Sequence, residues 1–356
     1  MTGYRIAVVP GDGVGVEVVG EGLKVLNAVA GRFGITWDFT EYPWGSNYYF
    51  QHGRMMPDDA LDSLATSDAI FLGAVGHPEI QDHVTLNGLL LPIRRVFDQY
   101  VCERPSVLYP GVESPLKGKA PGDIDMVVIR ENTEGEYANV GGFQYQGFPE
   151  EIGIQTGVFT RKGCERVITY AFELAKRRNR KNHVTSVTKS NAQGYGMIVW
   201  DHAFEVVAER YPGITTDSLL VDAAAMDFIR RPEAFDVVVG SNLFGDILTD
   251  IGAIITGSMG LAPSGNVDPE RRFPSMFEPV HGSAPDIAGT GAANPMAAIL
   301  STSMMLRHLG EEAAADAVEK ATLQVLADGE TLTSDLGGLA NTSQVGDAVV
   351  NALSHG

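Results

Sequence analysis

Short apolar strands followed by polar turns recur along this chain, and helical periodicity follows several of them. The predicted strands occupy residues 6–9, 68–75, 126–129 and 235–239, which are mainly apolar, and residues 183–188, which alternate between polar and apolar side chains. Strands that alternate with helices favour an α/β fold with a mainly parallel sheet, because parallel neighbours need a long crossover that is usually helical. Ligands of such sheets usually bind beyond the carboxyl ends of the strands. Polar residues that directly follow these runs are therefore the candidates for function.

The segment after residues 235–239 combines two carboxylates with a helical pattern. Apolar residues between 247 and 255 repeat at helical spacing, so Asp246 and Asp250 would lie on one helix face about one turn apart. These carboxylates would repel each other unless a divalent cation were bound, and ligation by oxygen alone suits Mg²⁺ or Mn²⁺. The alternative is a solvated helix face with two exposed acids.

Two further strand ends supply groups for the same chemistry. Asp222 follows the apolar residues 219–221 and precedes an alanine-rich helix, so it is a third carboxylate for the same cation. Lys189 follows the strand 183–188, and a lysine near a metal and carboxylates can carry a proton once its pKa is lowered.

Three arginines stand at the ends of predicted elements. Arg94 lies in a predicted helix at residues 86–100, in which Pro92 occupies the first turn or causes a kink; Arg104 follows that helix, and Arg130 follows the strand 126–129. Arginine can fork around a carboxylate with two hydrogen bonds. Together these arginines predict a site for a polycarboxylate, although each alone could be a surface residue.

The overall charge limits the partners of the chain. Its 356 residues include 45 acidic and 26 basic side chains, a formal net charge of −19, which argues against a nucleic-acid partner or an anionic membrane. No apolar run reaches the length of a membrane span, and no leader pattern precedes the first strand. Cys102 and Cys164 are too few for a disulfide framework, so we expect a cytoplasmic protein.

Residues 141–160 are rich in glycine, aromatic and alternating apolar residues. This pattern predicts a β-hairpin arm, and because a lone hairpin is marginally stable in water, we expect it to pair across a homodimer. The glycine-rich turn at residues 10–15 follows a strand but lacks the spacing of a Rossmann fingerprint. The turn at 289–293 follows no evident strand, so neither turn predicts a dinucleotide site by itself.

Four motifs together resemble the metal-dependent β-decarboxylating dehydrogenases that act on 2-hydroxy acids, the isocitrate/isopropylmalate dehydrogenase family. They are PGDG at 10–13, RENTE at 130–134, NLFGD at 242–246 and HGSAPD at 281–286, in the order and spacing of that family. The resemblance implies the family's own non-Rossmann α/β fold, with two α/β domains that share a central sheet region and a β arm for dimerisation. Residues 1–100 and 255–356 would form the large cofactor-binding domain, and 101–254 the small dimerisation and substrate domain, including the arm at about 141–160.

The resemblance also implies a role for individual side chains. Tyr137 and Lys189 would be the acid and base pair, and the arginines with Leu90 would contact the substrate. Asp246 and Asp250 of one subunit would hold Mn²⁺ or Mg²⁺ with Asp222 of the other, and Lys189 would also reach across, so the homodimer would share its active sites. A monovalent cation is a further expected cofactor. The implied cofactor-binding residues are Gly73, Val75, Gly76, His281, Gly282, Ser283, Ala284, Asp286, Ile287 and Asn294.

The position of Asp286 predicts NAD rather than NADP. In the family this residue faces the adenosine ribose, where a carboxylate accepts hydrogen bonds from the 2′-hydroxyl and repels a 2′-phosphate. NADP-dependent relatives usually have Lys and Tyr where this chain has Asp286 and Ile287.

The substrate is predicted from the branch of the family that the chain resembles. Residues 44–49, 52–57 and 97–100 are similar to the tartrate and D-malate branch, and residues 130–137 depart from the isopropylmalate version of that loop, whereas 221–226 resemble the isopropylmalate branch. Leu89 and Leu90 replace the Ser and Asn with which isocitrate enzymes bind a third carboxylate, so isocitrate is not the expected substrate. We therefore expect oxidation of tartrate or D-malate, with or without decarboxylation. The alternatives are a 3-isopropylmalate dehydrogenase and a non-catalytic regulatory subunit, although no catalytic residue is missing.

Overall fold

The computed structural model describes residues 2–355 and divides them into two compact units. The first unit takes in the chain up to Gln99, Arg104–Ile124 and the chain from Gly252 onward; the second comprises Tyr100–Glu103 and Asp125–Ile251. Residues 104–124 thus group with the first unit, whereas the predicted middle domain, residues 101–254, included them. The cofactor and dimerisation roles of the two domains remain predictions.

The first unit contains a mixed sheet. Its strands are β1 (Thr2–Gly11), β2 (Ile35–Glu41), β3 (Ala69–Ala74), β11 (Pro263–Val267) and β12 (Ser275–Pro279). They lie in the order β2-β1-β3-β12-β11. The β1–β2, β1–β3 and β3–β12 pairs are parallel, and β11–β12 is antiparallel. This order differs from the 3-2-1-4-5-6 order of a Rossmann sheet.

Helices pack against this sheet through apolar side chains that repeat at helical spacing. In α1 (Gly15–Phe33) the buried apolar residues are Val18, Val19, Val25, Leu26 and Val29. The helices are α1 (Gly15–Phe33), α2 (Ser46–His52), α3 (Ala60–Leu64), α4 (Asp82–Thr85), α5 (Leu91–Val96), α10 (Met296–Leu309), α11 (Glu312–Asp328) and α12 (Thr342–His355).

The second unit contains a parallel sheet and a separate hairpin. The sheet order is β5-β10-β8-β9, and its strands are β5 (Asp125–Glu131), β8 (His183–Thr188), β9 (Thr215–Leu220) and β10 (Val237–Gly240). β6 (Gly135–Gln144) and β7 (Ile152–Val158) form the antiparallel hairpin. The helices are α6 (Arg161–Arg178), α7 (Gly196–Ala208) and α8 (Val221–Arg230).

Two elements cross the division between the units. The strand β4 (Val101–Val107) passes from the second unit to the first after Glu103, and the helix α9 (Asn242–Ile255) does so after Ile251.

The predicted helix at residues 86–100 is shifted along the chain in the structure. Helical backbone begins with α4 at Asp82, continues through a π-helical turn at Leu86–Leu90 and ends with α5 at Val96. Pro92 lies in the first turn of α5, and because it has no N–H to donate to the preceding turn, the wider π-helical turn directly before it is the local departure from regular α-helix. Asp98 has a positive φ of 43°, which is incompatible with continued right-handed helix.

None of the helices within residues 2–355 has the length and apolar character that a membrane span requires.

His308 on α10 makes the first unit sensitive to acid. Burial lowers the pKa of His308 to about 4, and the positive charge of Arg271 contributes to the shift. Between an unfolded pKa of about 6.5 and the folded pKa, the unfolded chain binds the additional proton, so stability falls as the pH decreases through this range.

We predict that His308→Gln reduces the loss of stability between pH 6.5 and 4 by up to about 3 kcal/mol. Urea unfolding across this pH range measures the effect. The control variant is His202→Gln, at an exposed position on α7. Equal pH slopes for His308→Gln and the wild type would contradict the prediction.

Candidate active site

Arg130 is the buried centre of the site in the second unit. It is the penultimate residue of β5, it lies opposite Gly240 of β10, and only 2% of its surface is exposed. Its Nε and Nη2 donate to Oδ1 of Asn242 at 3.0 and 2.6 Å, and its Nη1 donates to Asp246. Each of the three guanidinium nitrogens therefore donates a hydrogen bond to a residue at the start of α9.

Tyr137 joins the same hydrogen-bonded group. It lies in β6, and its hydroxyl donates to Oδ2 of Asp246 at 3.0 Å. The guanidinium carbon of Arg130 lies 5.3 Å from the centre of the Tyr137 ring, which suits a cation–π contact. Three residues predicted from the sequence, Arg130, Tyr137 and Asp246, are thus in direct contact.

Glu136 attaches the strand of Tyr137 to the start of α9. Its two carboxylate oxygens accept hydrogen bonds from the Ser241 hydroxyl at 2.9 Å and the Leu243 N–H at 3.2 Å. A carboxylate at a helix N-terminus satisfies an unpaired N–H group and interacts favourably with the helix dipole. The contact therefore ties β6 to the turn that precedes Asp246.

Lys189 and Asp222 form a second group at the ends of neighbouring parallel strands. Lys189 directly follows β8, Asp222 is the second residue of α8, and the register pairs Thr188 with Leu220. The Lys189 ammonium lies 2.5 Å from Oδ1 of Asp222, and this hydrogen bond lowers the pKa of the Asp222 carboxyl.

The predicted metal ligands Asp222, Asp246 and Asp250 offer only carboxylate oxygens to a cation. Asp250 lies one turn after Asp246 on α9, as predicted, and it is exposed, as is Asp222. Within residues 2–355 of one chain, no group of three or more His, Cys, Asp or Glu side chains could hold a metal ion.

Arg94 is held by an ion pair in the first unit. Its side chain is 6% exposed, and its Nη2 donates to Oε1 of Glu278 at 2.8 Å. Asn266 donates to the same oxygen at 2.7 Å, whereas Nε of Arg94 has no hydrogen-bond partner in the described part of the chain. Leu90 lies in the π-helical turn and Arg104 in β4, and both are buried.

The segment Gly73 to Gly76, predicted to bind the cofactor, is attached to the loop after β1 through Asp12. Gly73 is in β3, Val75 and Gly76 follow that strand, and the Gly76 N–H donates to Asp12 at 2.9 Å. The buried Asp12 carboxylate also accepts hydrogen bonds from the backbone and hydroxyl of Ser46 at 2.7 and 2.6 Å. A Cβ at Gly73 would lie 2.3 Å from the Pro10 carbonyl oxygen, so this packing requires glycine.

The other predicted cofactor-binding residues lie in the loop between β12 and α10. Burial lowers the pKa of His281, whose Nδ1 lies 2.9 Å from the Gly282 carbonyl oxygen. Ser283 and Asn294 are buried, Ala284 has a positive φ of 38°, Ile287 is half-buried, and Asp286 is exposed. Asn294 donates to Asp335 at 3.0 Å.

Several residues that hold the site were not predicted from the sequence. Glu136, Asn242 and Glu278 lie within or beside the recognised motifs, which was a usable signal. Glu17 and Asp335 lie outside those motifs, and only the folded chain brings them to the loop between β12 and α10.

Comparison with known proteins identifies the family. The profile of the isocitrate/isopropylmalate dehydrogenase family matches residues 5–349. The chain belongs to this family. It is therefore an oxidoreductase of the dehydrogenase type, and the predicted family is confirmed.

Individual dehydrogenases of this family resemble the chain over its full length. A probable tartrate dehydrogenase/decarboxylase from Agrobacterium vitis is 51% identical over 355 residues, which cover 99% of each chain. The decarboxylating D-malate dehydrogenase of Escherichia coli (strain K12) is 51% identical over 360 residues, again 99% of each chain. The crystal structure of isocitrate dehydrogenase from Methylococcus capsulatus superposes with a TM-score of 0.87 at 35% identity, covering 98% of this chain and 99% of the other. The predicted fold class is thereby confirmed.

Gly245 allows α9 to approach β5 closely. A Cβ at Gly245 would lie 2.6 Å from Cβ of Arg130. We predict that Gly245→Ala destabilises the protein by about 1–3 kcal/mol despite the higher helix propensity of alanine, because the helix must move away from Arg130. The midpoint temperature of thermal unfolding and kcat/KM should both decrease.

The matched control is Gly20→Ala on α1, where an added Cβ meets no atom within 4 Å. There the substitution should stabilise the protein by about 0.5–1 kcal/mol and leave kcat/KM unchanged. Similar stability changes for the two variants would show that the contact at Arg130 does not constrain α9.

Proposed function

We propose that this enzyme oxidises a small 2-hydroxy dicarboxylic acid, tartrate or D-malate, with NAD and a divalent cation, Mn²⁺ or Mg²⁺. For D-malate the products would be pyruvate and CO₂; oxidation of tartrate occurs with or without loss of the β-carboxylate. The observation that carries the proposal is the identity of about half of all positions, over the full length, to dehydrogenases that bear the names of these two substrates.

The arginines would bind the substrate carboxylates. Arg94 and Arg130 are each fixed by neighbouring acids and amides, so little side-chain entropy remains to be lost on binding. The buried Nε of Arg94 retains a donor for an incoming oxygen. Leu90 would tolerate either a small or an isopropyl γ-group on the substrate.

Lys189 and Tyr137 would move the protons. Lys189 would accept the proton of the C2 hydroxyl, through water, as hydride leaves C2. After loss of the β-carboxylate as CO₂, Tyr137 would donate its hydroxyl proton to C3. Its hydroxyl already donates to Asp246 at 3.0 Å, which holds the acidic proton beside a proposed metal ligand.

The aspartates fit a hard cation. Asp246 and Asp250 supply carboxylate oxygens from one helix face, and Asp222 of a second subunit would supply the third. When bound, the cation would stabilise negative charge on the substrate oxygens, and NAD would accept the hydride.

The loop between β12 and α10 fits NAD. Asp286 is exposed, so its carboxylate is available to a ribose hydroxyl and would repel a phosphate. Gly282 leaves open space around its Cα, since an added Cβ would meet no atom within 4 Å.

The β6–β7 hairpin supports a homodimer. It forms a separate two-stranded sheet, and its exposed apolar side chains include Val140, Phe143, Tyr145, Phe148 and Ile154, with exposures between 48 and 66%. A two-stranded hairpin with this apolar surface needs a partner, and we propose a second copy of the chain. Such a dimer would place Lys189 and Asp222 of one subunit beside Asp246 of the other.

A substrate panel tests the proposed reaction. NADH formation is measured with D-malate, both tartrates, 3-isopropylmalate and isocitrate, and each reaction is repeated with NADP and after EDTA treatment and dialysis. We expect the highest kcat/KM for D-malate or a tartrate, a preference for NAD, and loss of activity that Mn²⁺ or Mg²⁺ restores.

Each arm of the panel can contradict one part of the proposal. The highest kcat/KM for 3-isopropylmalate would favour the isopropylmalate dehydrogenase alternative. Full activity after EDTA and dialysis would exclude the aspartate assignment, and no turnover of any dicarboxylate would favour a non-catalytic subunit.

A complementation experiment tests whether the active sites are shared. Asp222→Asn and Asp246→Asn homodimers should each be inactive. When they are unfolded and refolded together, half of the dimers should be mixed, and each mixed dimer should hold one intact site. We therefore predict recovery of about a quarter of the wild-type activity.

The control mixes Asp246→Asn with Arg130→Met, two changes in the same half of the proposed site. No mixed dimer then has an intact site, so activity should not recover. Failure of the first mixture to recover, when refolded wild type regains its activity and sedimentation shows dimers, would exclude shared sites.

A further inference from the structure

Glu17 on α1 holds the loop that carries Asp286. Its Oε1 accepts a hydrogen bond from the Gly289 N–H at 2.5 Å, and its Oε2 accepts one from the Gly291 N–H at 3.0 Å. The two partners lie 272 and 274 residues further along the chain. Both glycines have a positive φ, 75° and 69°, which turns their N–H groups toward one carboxylate.

The other end of this loop is attached to the start of the same helix. The Val14 N–H donates to the Ser283 carbonyl at 2.9 Å. A Cβ at Gly13 would lie 2.0 Å from that carbonyl oxygen, so the backbones are in close contact there. The segment from Ser283 to Gly291 is therefore attached to α1 at both ends.

A second helix restrains the far side of the segment. The Gly291 carbonyl accepts a hydrogen bond from the Thr342 N–H at 2.8 Å, at the first residue of α12. The N–H of Gly291 thus donates to Glu17 of α1, and its carbonyl accepts from Thr342 of α12. This arrangement leaves little freedom at the end of the loop.

Asp286 and Ile287 lie between the two attachment points. The intervening backbone folds into consecutive turns, in which Ile287 N–H donates to Ala284 at 3.1 Å and Thr290 N–H to Ile287 at 3.2 Å. Asp286 is exposed on these turns, so its position relative to α1 is set by the attachments at Ser283 and Gly291. Removal of one attachment would let the Asp286 carboxylate sample several positions.

We infer that Glu17 is a positioning residue for the adenosine half of NAD. The inference rests on the proposed function, which assigns Asp286 to the adenosine ribose. Glu17 does not contact the cofactor in this scheme; it orders the turn that presents Asp286 and Ile287. Its loss should therefore weaken cofactor binding and leave the chemical step and dicarboxylate binding unchanged.

The experiment compares Glu17→Ala, Glu17→Gln and Glu17→Asp with the wild type. Hydrogen bonds to a charged group are the stronger ones, and a tenfold effect corresponds to about 1.4 kcal/mol. We expect Glu17→Ala to raise the KM for NAD about tenfold, with kcat and the KM for the dicarboxylate unchanged. Glu17→Asp should recover part of the loss because it keeps two charged acceptors, whereas Glu17→Gln offers only one neutral acceptor and should recover less.

Calorimetric binding of ADP-ribose provides a readout that does not depend on turnover. Its dissociation constant should rise in parallel with the KM for NAD. The control is Asp347→Ala, which removes the ion pair between Asp347 and Lys24 of α1 at 2.7 Å and should change neither constant.

Failure of the proposed function and failure of the positioning role of Glu17 give different results. A wild-type enzyme that oxidises no dicarboxylate contradicts the proposed function. Unchanged ADP-ribose binding in Glu17→Ala, or an equal rise in the KM values for NAD and the dicarboxylate, overturns the positioning role of Glu17.

Discussion

The contact between Arg130 and the first turn of α9 is the interaction on which the candidate active site depends. Asn242 and Asp246 accept hydrogen bonds from all three sides of the guanidinium, and Gly245 lets the helix backbone approach β5. The same turn receives the hydroxyl of Tyr137 and the carboxylate of Glu136. A shift of α9 would therefore move a proposed substrate-binding residue, a proposed acid and a proposed metal ligand together, and misplacement by about 1 Å can cost on the order of 10²-fold in rate.

Buried charges in this acidic protein are compensated locally. Arg94 pairs with Glu278, and Arg130 pairs with Asp246, so each guanidinium is fixed before any substrate arrives. Breaking one partner of such a pair would leave an uncompensated buried charge, which is strongly unfavourable. In the proposed function, these pairs would orient the remaining N–H donors toward a dicarboxylate.

Much of the architecture was predictable because it depends on local patterns. The helical repeat after Asp246 predicted α9, the alternation at 183–188 predicted β8, and the glycine-rich aromatic stretch predicted the β6–β7 hairpin. The helix predicted at 86–100 instead runs from 82 to 96, because periodicity does not register the positive φ of Asp98 that follows its end. Whether the hairpin joins two subunits stays a prediction.

The sequence by itself determined the α/β class and the family, and it identified the charged residues at the strand ends as candidates for function. These follow from spacings of two to four residues and from short motifs, which a linear chain displays directly. Only the tertiary structure decided which groups meet: Arg130 with Asn242 across 112 residues, Arg94 with Glu278 across 184, and Glu17 with Gly289 across 272. Such contacts depend on strand register and on the approach of helices to the sheet, and neither leaves a periodic trace in the sequence.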